Sequence, residues 1–224
     1  MLFSEIRSPE DMHELVLKAG FLPLLKNDIE GFSIEEHTPR ELWFADDAPG
    51  PWEWKGPVIQ MGGCVYGKFF SGKAGFISLE CFSDFLNYRR DGYDFDARYD
   101  DGLASRKDKH LYDTLAENGS LLTGQLRNMT NYRKGGNKGF EGCITRLQMQ
   151  TYVVVSNFEY KIDAQGRQYG WGVARYTTPE EQLGQDFVES AYQRQPEESR
   201  LRVYDSLRKL LPQADEGQLR RVIG

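Results

Sequence analysis

Over residues 106–176 the apolar positions shift from a helical to a strand-like period, and the order of that shift specifies a small folding unit. Leu111 and Leu115 lie one helical turn apart in a polar stretch that Gly119 ends, which predicts a first helix. Thr123 precedes Leu126 and Met129. As an N-cap its hydroxyl can accept an orphan backbone N–H, so a short second helix is expected there. The basic, glycine-rich loop NYRKGGNKG follows, and Phe140, Ile144 and Leu147 then recur at i, i+4 and i+7 of a third helix. TYVVVSNFEY has the Thr, Tyr and Val content of a strand. After the turn Asp163-Ala164-Gln165-Gly166, a second strand over 169–176 closes a hairpin. Three helices and a two-stranded hairpin in this order predict a winged helix-turn-helix, which can lay its third helix against a DNA groove.

The flanking patterns are less regular. Ser8, Pro9 and Glu10 make a helix start, and Met12, Leu15 and Val16 share one face of a helix over 9–19, followed by an irregular apolar segment, GFLPLL. Residues 40–102 hold Trp43, Trp52 and Trp54. They also hold a run over 65–76 that reads as a hairpin turning at Ser71-Gly72, with Lys68 and Lys73 flanking the turn. A helix is expected over 77–88 with Phe82, Phe85 and Leu86 inward; Arg89 and Arg90 in its last turn either complement the helix dipole or contact phosphates. The tail reads as two or three short helices with an apolar stripe of Leu201, Tyr204 and 207–211, a packing element or a dimerisation face. The expected fold class is therefore α+β. A winged helix-turn-helix domain over 103–180 is preceded by an N-terminal aromatic-rich α/β segment over 1–102 and followed by C-terminal helices over 181–224.

Charge changes this picture locally. The chain carries 28 basic and 34 acidic side chains, net −6, the wrong sign for bulk attraction to phosphate. Residues 106–175 alone hold eleven Lys and Arg against six Asp and Glu, net +5, so the remainder sums to −11. Arg127, Arg133, Lys134, Lys138 and Arg146 run from the second helix through the third with Glu141 the one acid among them, and Arg167 lies in the hairpin. These six are the candidate nucleic-acid contacts; the bland alternative is an ordinary solvated face. Hydrophobic residues at 39% and aromatics at 13% describe an ordered globular chain. The N-terminal residues have acids throughout and no basic start leading into an apolar run, so no signal peptide is expected. No apolar stretch approaches the ~20 residues of a membrane span. Cys64, Cys81 and Cys143, odd in number and far apart, read as thiols in a reducing compartment, and a cytoplasmic location is expected.

Catalytic motifs are sparse. Gly67-Lys68 and Gly72-Lys73 lack the spacing of a phosphate-binding loop and read as a hairpin turn or a DNA-backbone contact, and no GxSxG is present. Asp91, Asp94, Asp96, Asp100 and Asp101 include a DxD, but they mix with Tyr93, Arg98 and Tyr99 in no calcium-loop spacing. They read as a linker, solvated or folded against the basic face, rather than a metal site, and no cofactor is expected. His13 and His37 are isolated and read as solvated or core histidines. Gln148-Met149-Gln150 stands where the third helix meets the first hairpin strand. Two amides on one side of a strand can orient a water or read an adenine edge, whereas a helix ending in polar residues needs no function.

The segments YDTLAENGSLLTGQL, KGFEGCITRLQMQTYVVVSNFEY and YGWGVARYTTPEE, with the aromatic segment holding WEWK, resemble a winged helix of the AlkZ family of bacterial DNA glycosylases. Within that family they are most similar to the short AlkZ-related proteins. The resemblance covers roughly 52–180 and implies relatives built from tandem winged helices that excise alkylated bases, crosslinked ones included. It also implies a catalytic Gln-apolar-Gln or Gln-apolar-Asp motif in the first winged helix. Gln148, Met149 and Gln150 spell that motif, although their surroundings look like the family's second winged helix and 1–39 is too short for another one upstream. Three functions follow. One is a winged-helix protein that binds duplex DNA without the catalytic module. A second is a monofunctional glycosylase in which Gln148 and Gln150 position water. The third is a winged helix that docks a protein partner and no nucleic acid. Duplex DNA is the favoured partner, and no membrane is expected.

Overall fold

The computed structural model describes residues 4–43, 49–162 and 168–224. Helix α1 (Pro9–Ala19) begins as its sequence predicts: the Ser8 hydroxyl accepts the Asp11 N–H at 3.1 Å, and Met12, Leu15 and Val16 are buried. GFLPLL is not irregular. Phe21–Pro23 forms β1, an edge strand whose partner lies more than fifty residues away, and three residues carry too short a pattern to announce it. Short helices α2 (Ile34–His37) and α3 (Arg40–Trp43) precede α4 (Pro51–Gln60).

Strands β2 (Cys64–Phe70) and β3 (Lys73–Ser78) form the expected hairpin, and the turn residues Ser71 and Gly72 both have positive φ (48° and 81°), as a type I′ turn requires. Helix α5 (Leu79–Arg90) starts two residues later than its apolar pattern suggests because Ile77 and Ser78 still belong to β3. The aspartate-rich segment is not a bare linker. It contains α6 (Phe95–Asp100), which the Asp94 carboxylate caps by accepting the Ala97 N–H at 2.8 Å. Asp101 accepts the Tyr93 hydroxyl at 3.0 Å and Asp96 meets the Lys109 ammonium at 3.0 Å, so these carboxylates organise their own loop and tie it to the next helix.

Helix α7 (Arg106–Asn118) opens with a capping box between Ser105 and Asp108. Strand β4 (Leu121–Leu122) leads into α8 (Thr123–Met129), whose N-cap is Leu122 and not Thr123. The Thr123 hydroxyl donates instead to the Ala174 carbonyl at 2.9 Å. Helix α9 (Phe140–Met149) buries Phe140, Ile144 and Leu147. Strand β5 (Val154–Ile162) begins three residues after the expected start. Thr151 has φ 60°, and the Leu147 carbonyl takes the N–H groups of Tyr152 and Val153, which finishes the helix. Strand β6 (Gln168–Thr177) pairs with β5; the turn 163–166 and Arg167 lie outside the described residues. The tail holds four helices among the described residues, α10 (Pro179–Leu183), α11 (Gln185–Ala191), α12 (Pro196–Leu210) and α13 (Glu216–Ile223). Tyr204, Leu207 and Leu211 are buried within the chain while Leu201 stays 47% exposed, so the stripe serves packing and Leu201 lies off it.

The described strands make one antiparallel sheet in the order β1-β3-β2-β5-β6-β4, a mixed α/β architecture. The join between β2 and β5, at Tyr66 and Val155, brings the N-terminal hairpin beside the later one. The arginine pair in the last turn of α5 is spent on contacts within the chain. Arg90 is 1% exposed, donates to Glu180 (2.6 Å), the Tyr192 hydroxyl (2.9 Å) and the Thr151 carbonyl (2.9 Å), and cannot reach a phosphate. Arg89 does complement a helix C-terminus, but that of α13: it donates to the carbonyls of Ile223 (2.8 Å) and Gly224 (3.2 Å). His13 and His37 hydrogen-bond the carbonyls of Gly62 and Gly31, both at 2.8 Å. Among the described residues no helix is long and apolar enough to cross a membrane, and no three His, Cys, Asp or Glu side chains gather as a metal site.

Candidate nucleic-acid interface

The basic loop between α8 and α9 is held in one shape by its own backbone. Asn137 N–H donates to the Asn131 carbonyl at 2.7 Å, Gly136 N–H to Arg133 at 2.8 Å, and the Asn137 amide to the Thr130 carbonyl at 3.0 Å. A Cβ at Gly136 would lie 2.1 Å from the Asn131 oxygen, so glycine is obligatory there. On this frame Arg133, Lys134 and Lys138 are exposed and have no ion-pair partner among the described residues. The Lys107 ammonium donates to the Lys138 carbonyl at 3.1 Å, which brings the start of α7, with exposed Arg106 and Lys107, beside the loop. Gly135, Gly139 and Gly142 have nothing within 4 Å of a would-be Cβ, so a ligand can approach the backbone there and at the start of α9.

Of the remaining predicted contacts, Arg127 and Arg146 are engaged. Arg127 pairs with Glu141 at 3.2 Å and lies 4.6 Å from the Phe140 ring centroid. Arg146 grips Asp108 through two hydrogen bonds of 3.0 and 2.7 Å, and that bonding to Asp108 is the main reason its guanidinium is held still more firmly charged. Both still add positive potential, but their nearest anions are internal. Arg167 falls outside the described residues.

The β2–β3 hairpin lies against one flank of α9, while Glu141, Gly142 and Arg146 stay exposed. The Lys68 ammonium donates to the Thr145 hydroxyl at 3.2 Å and sits 3.9 Å from Glu141, and Thr145 and Met149 line the space above Gly72. The sequence offers Lys68 as a turn residue or a DNA-backbone contact, and nothing local signals a partner 77 residues away.

Gln148 is 1% exposed. Its Oε1 accepts the Lys68 backbone N–H at 3.1 Å and its Nε2 donates to the Ile144 carbonyl at 3.1 Å, so the amide stitches α9 to β2. Gln150 is the C-cap of α9, partly buried. The two glutamines end a helix instead of sharing one side of a strand, and a separation of two residues there turns their side chains about 200° apart. The structure does not bring them together. Cys64 and Cys143 are buried, and burial pushes the Cys64 thiol up to about 12, well away from nucleophilic chemistry.

The model of the family described as AlkZ related matches residues 6–224. The chain belongs to the AlkZ-related family. Among solved structures it is similar to the Streptomyces sahachiroi DNA glycosylase AlkZ, with a TM-score of 0.50 at 12% identity over 97% of this chain and 59% of the glycosylase. At that identity the likeness establishes the fold, and the AlkZ-related chain spans about 59% of the glycosylase's length. No curated protein sequence gives a significant match.

Proposed function

We propose that this AlkZ-related chain is a DNA-binding protein, and that α7, α8, α9 and the β5–β6 hairpin act as a winged helix within the 103–180 unit. The contact surface is the loop 131–139 with the N-termini of α7 and α9. What carries the proposal is the rigid, glycine-shaped loop presenting Arg133, Lys134 and Lys138 without internal counter-charges, next to Arg106 and Lys107. Cations left unpaired on a preformed frame gain counterion release when phosphates replace solvent, and they lose little conformational freedom of the loop in doing so. The relation to a DNA glycosylase fold agrees with this choice of partner. Catalysis by Gln148 and Gln150 is left out of the proposal because the Gln148 amide is spent on α9 and β2.

The test is fluorescence anisotropy of a labelled duplex over a salt series, with wild type and the triple variant Arg133→Glu/Lys134→Glu/Lys138→Glu. Three to five phosphate contacts predict a log–log salt slope of about −2.7 to −4.5. The variant should bind at least about tenfold more weakly with a shallower slope while its circular dichroism is unchanged. Equal affinity and slope in the variant would remove the loop from the interface. Absence of binding at low salt would reject the DNA reading altogether.

A further inference from the structure

A cavity of about 610 Å³ opens between the start of α1, α4 and β5, away from the cationic loop in sequence and on different elements. Its size falls in the range of about 300–1,000 Å³ typical of small-molecule sites. Two hydrogen bonds pin its frame: the Tyr160 hydroxyl donates to the Trp52 carbonyl at 3.1 Å, and the Gln60 amide to the Ser156 carbonyl at 2.9 Å. Gly56 lets the helix and strand approach, since a Cβ there would lie 3.2 Å from Asn157 Oδ1 and 3.9 Å from the Phe158 side chain.

The lining combines rings with unused polar atoms. Trp54, Phe158 and Tyr160 supply aromatic surface, Glu53, Gln60 and Asn157 contribute polar side chains, and Arg7, which pairs with Glu5, also lines the space. Asn157 Oδ1 accepts the Phe158 N–H at 2.8 Å, leaving the amide donor without a partner among the described residues. Gln60 spends its amide donor on Ser156, which leaves its Oε1, and Glu53 Oε2 caps Gly50 N–H at 2.9 Å, which leaves its other oxygen. One donor and two acceptors beside aromatic faces match a flat heterocycle that carries both kinds of group on its edge. An aliphatic ligand would leave the three polar groups unpaired.

We propose that this cavity binds a single nucleobase, by stacking on its aromatic wall and pairing its edge with Glu53, Gln60 and Asn157. The base can come from a free nucleoside or from an unpaired position in DNA; both present the same chemistry. Stacking of a base on an aromatic side chain contributes whatever the base, and the polar rim decides orientation.

The probe is 2-aminopurine, as the free riboside and as an unpaired base in a bulged duplex, with the fully paired duplex as control. Saturable binding of the riboside at or below roughly 1 mM, seen as a rise in anisotropy and competed by guanosine but not by ribose 5-phosphate, assigns the site to free nucleosides. An emission change in the bulged duplex alone assigns it to an extruded base. In either case Glu53→Gln, which keeps the Gly50 cap, and Asn157→Ala should each weaken the signal about tenfold with the fold intact by circular dichroism. Arg133→Glu/Lys134→Glu/Lys138→Glu should leave the riboside arm unchanged, so failure of the DNA-binding loop and failure of this site are told apart. No response in either arm, or a response insensitive to both cavity variants, overturns the proposal.

Discussion

Lys55 shows how a residue's neighbours reset its chemistry. Its ammonium lies 4.4 Å from the Phe158 ring centroid and 4.9 Å from that of Trp52, and burial lowers it from 10.5 to about 8 against the opposing pull of Glu53. Between pH 8 and 10.5 the unfolded chain therefore holds a proton that the folded chain has released, so this group adds stability as pH rises through that window. Below pH 8 both states are protonated and the cost of burying the charge is fully present. Lys55→Met should accordingly stabilise the protein at pH 7 by about 1–3 kcal/mol, part of the gain being offset by the lost cation–π contacts, and the advantage should shrink by pH 9.5. Urea midpoints of both proteins at the two pH values check this, and a pH-independent gap would refute it. Nothing in WEWK announces this shift, because it depends on a strand a hundred residues downstream. The glutamines teach the same lesson. Gln148-Met149-Gln150 is legible as a motif, yet whether an amide faces solvent or β2 is decided by where the hairpin packs.

At the scale of elements, a sustained period is enough to specify a helix or a hairpin. The helix over 9–19, the turn at Ser71-Gly72 and the helices around Leu111 and Ile144 all follow from spacing and turn chemistry that act within a few residues. Short pieces such as β1, β4 and α6 escaped, because two to six residues carry too little period and owe their form to partners elsewhere. The same non-local packing changes how α9 can work. Its flank at Thr145 and Met149 lies under the β2–β3 turn, and the exposed Arg146 and Glu141 are paired within the chain, which leaves its N-terminus and the cations of the preceding loop open to DNA. Contacts of that kind meet phosphates and carry no base readout. Unrelated duplexes of equal length should therefore bind with affinities within about threefold of one another at fixed salt, far below the roughly 1–3 kcal/mol per base pair of a helix reading the groove. A preference above tenfold in a panel competition would show that the hairpin leaves α9 when DNA binds.

For the molecule as a whole, the sheet continues across the boundary that composition suggests near residue 102, through the β2–β5 pairing. Arg90 reinforces the connection by joining the end of α5 to Glu180 at the start of α10, Tyr192 after α11 and the Thr151 carbonyl after α9. Removing one partner of a buried ion pair leaves the other desolvated. Arg90→Met should cost about 3–5 kcal/mol in urea unfolding, and a loss under about 1 kcal/mol would mean the node adds little. The sequence by itself determined the longer periodic helices and the hairpins, the local excess of positive charge over 106–175 and the family resemblance, since all three are written in neighbouring residues. Only the tertiary structure decided which cations stay unpaired, that Gln148 is enclosed, that Arg90 is buried and that a cavity forms beside Trp54. Each depends on desolvation and pairing between segments tens of residues apart or more, and the energy of a charge or an amide is fixed by what surrounds it in space.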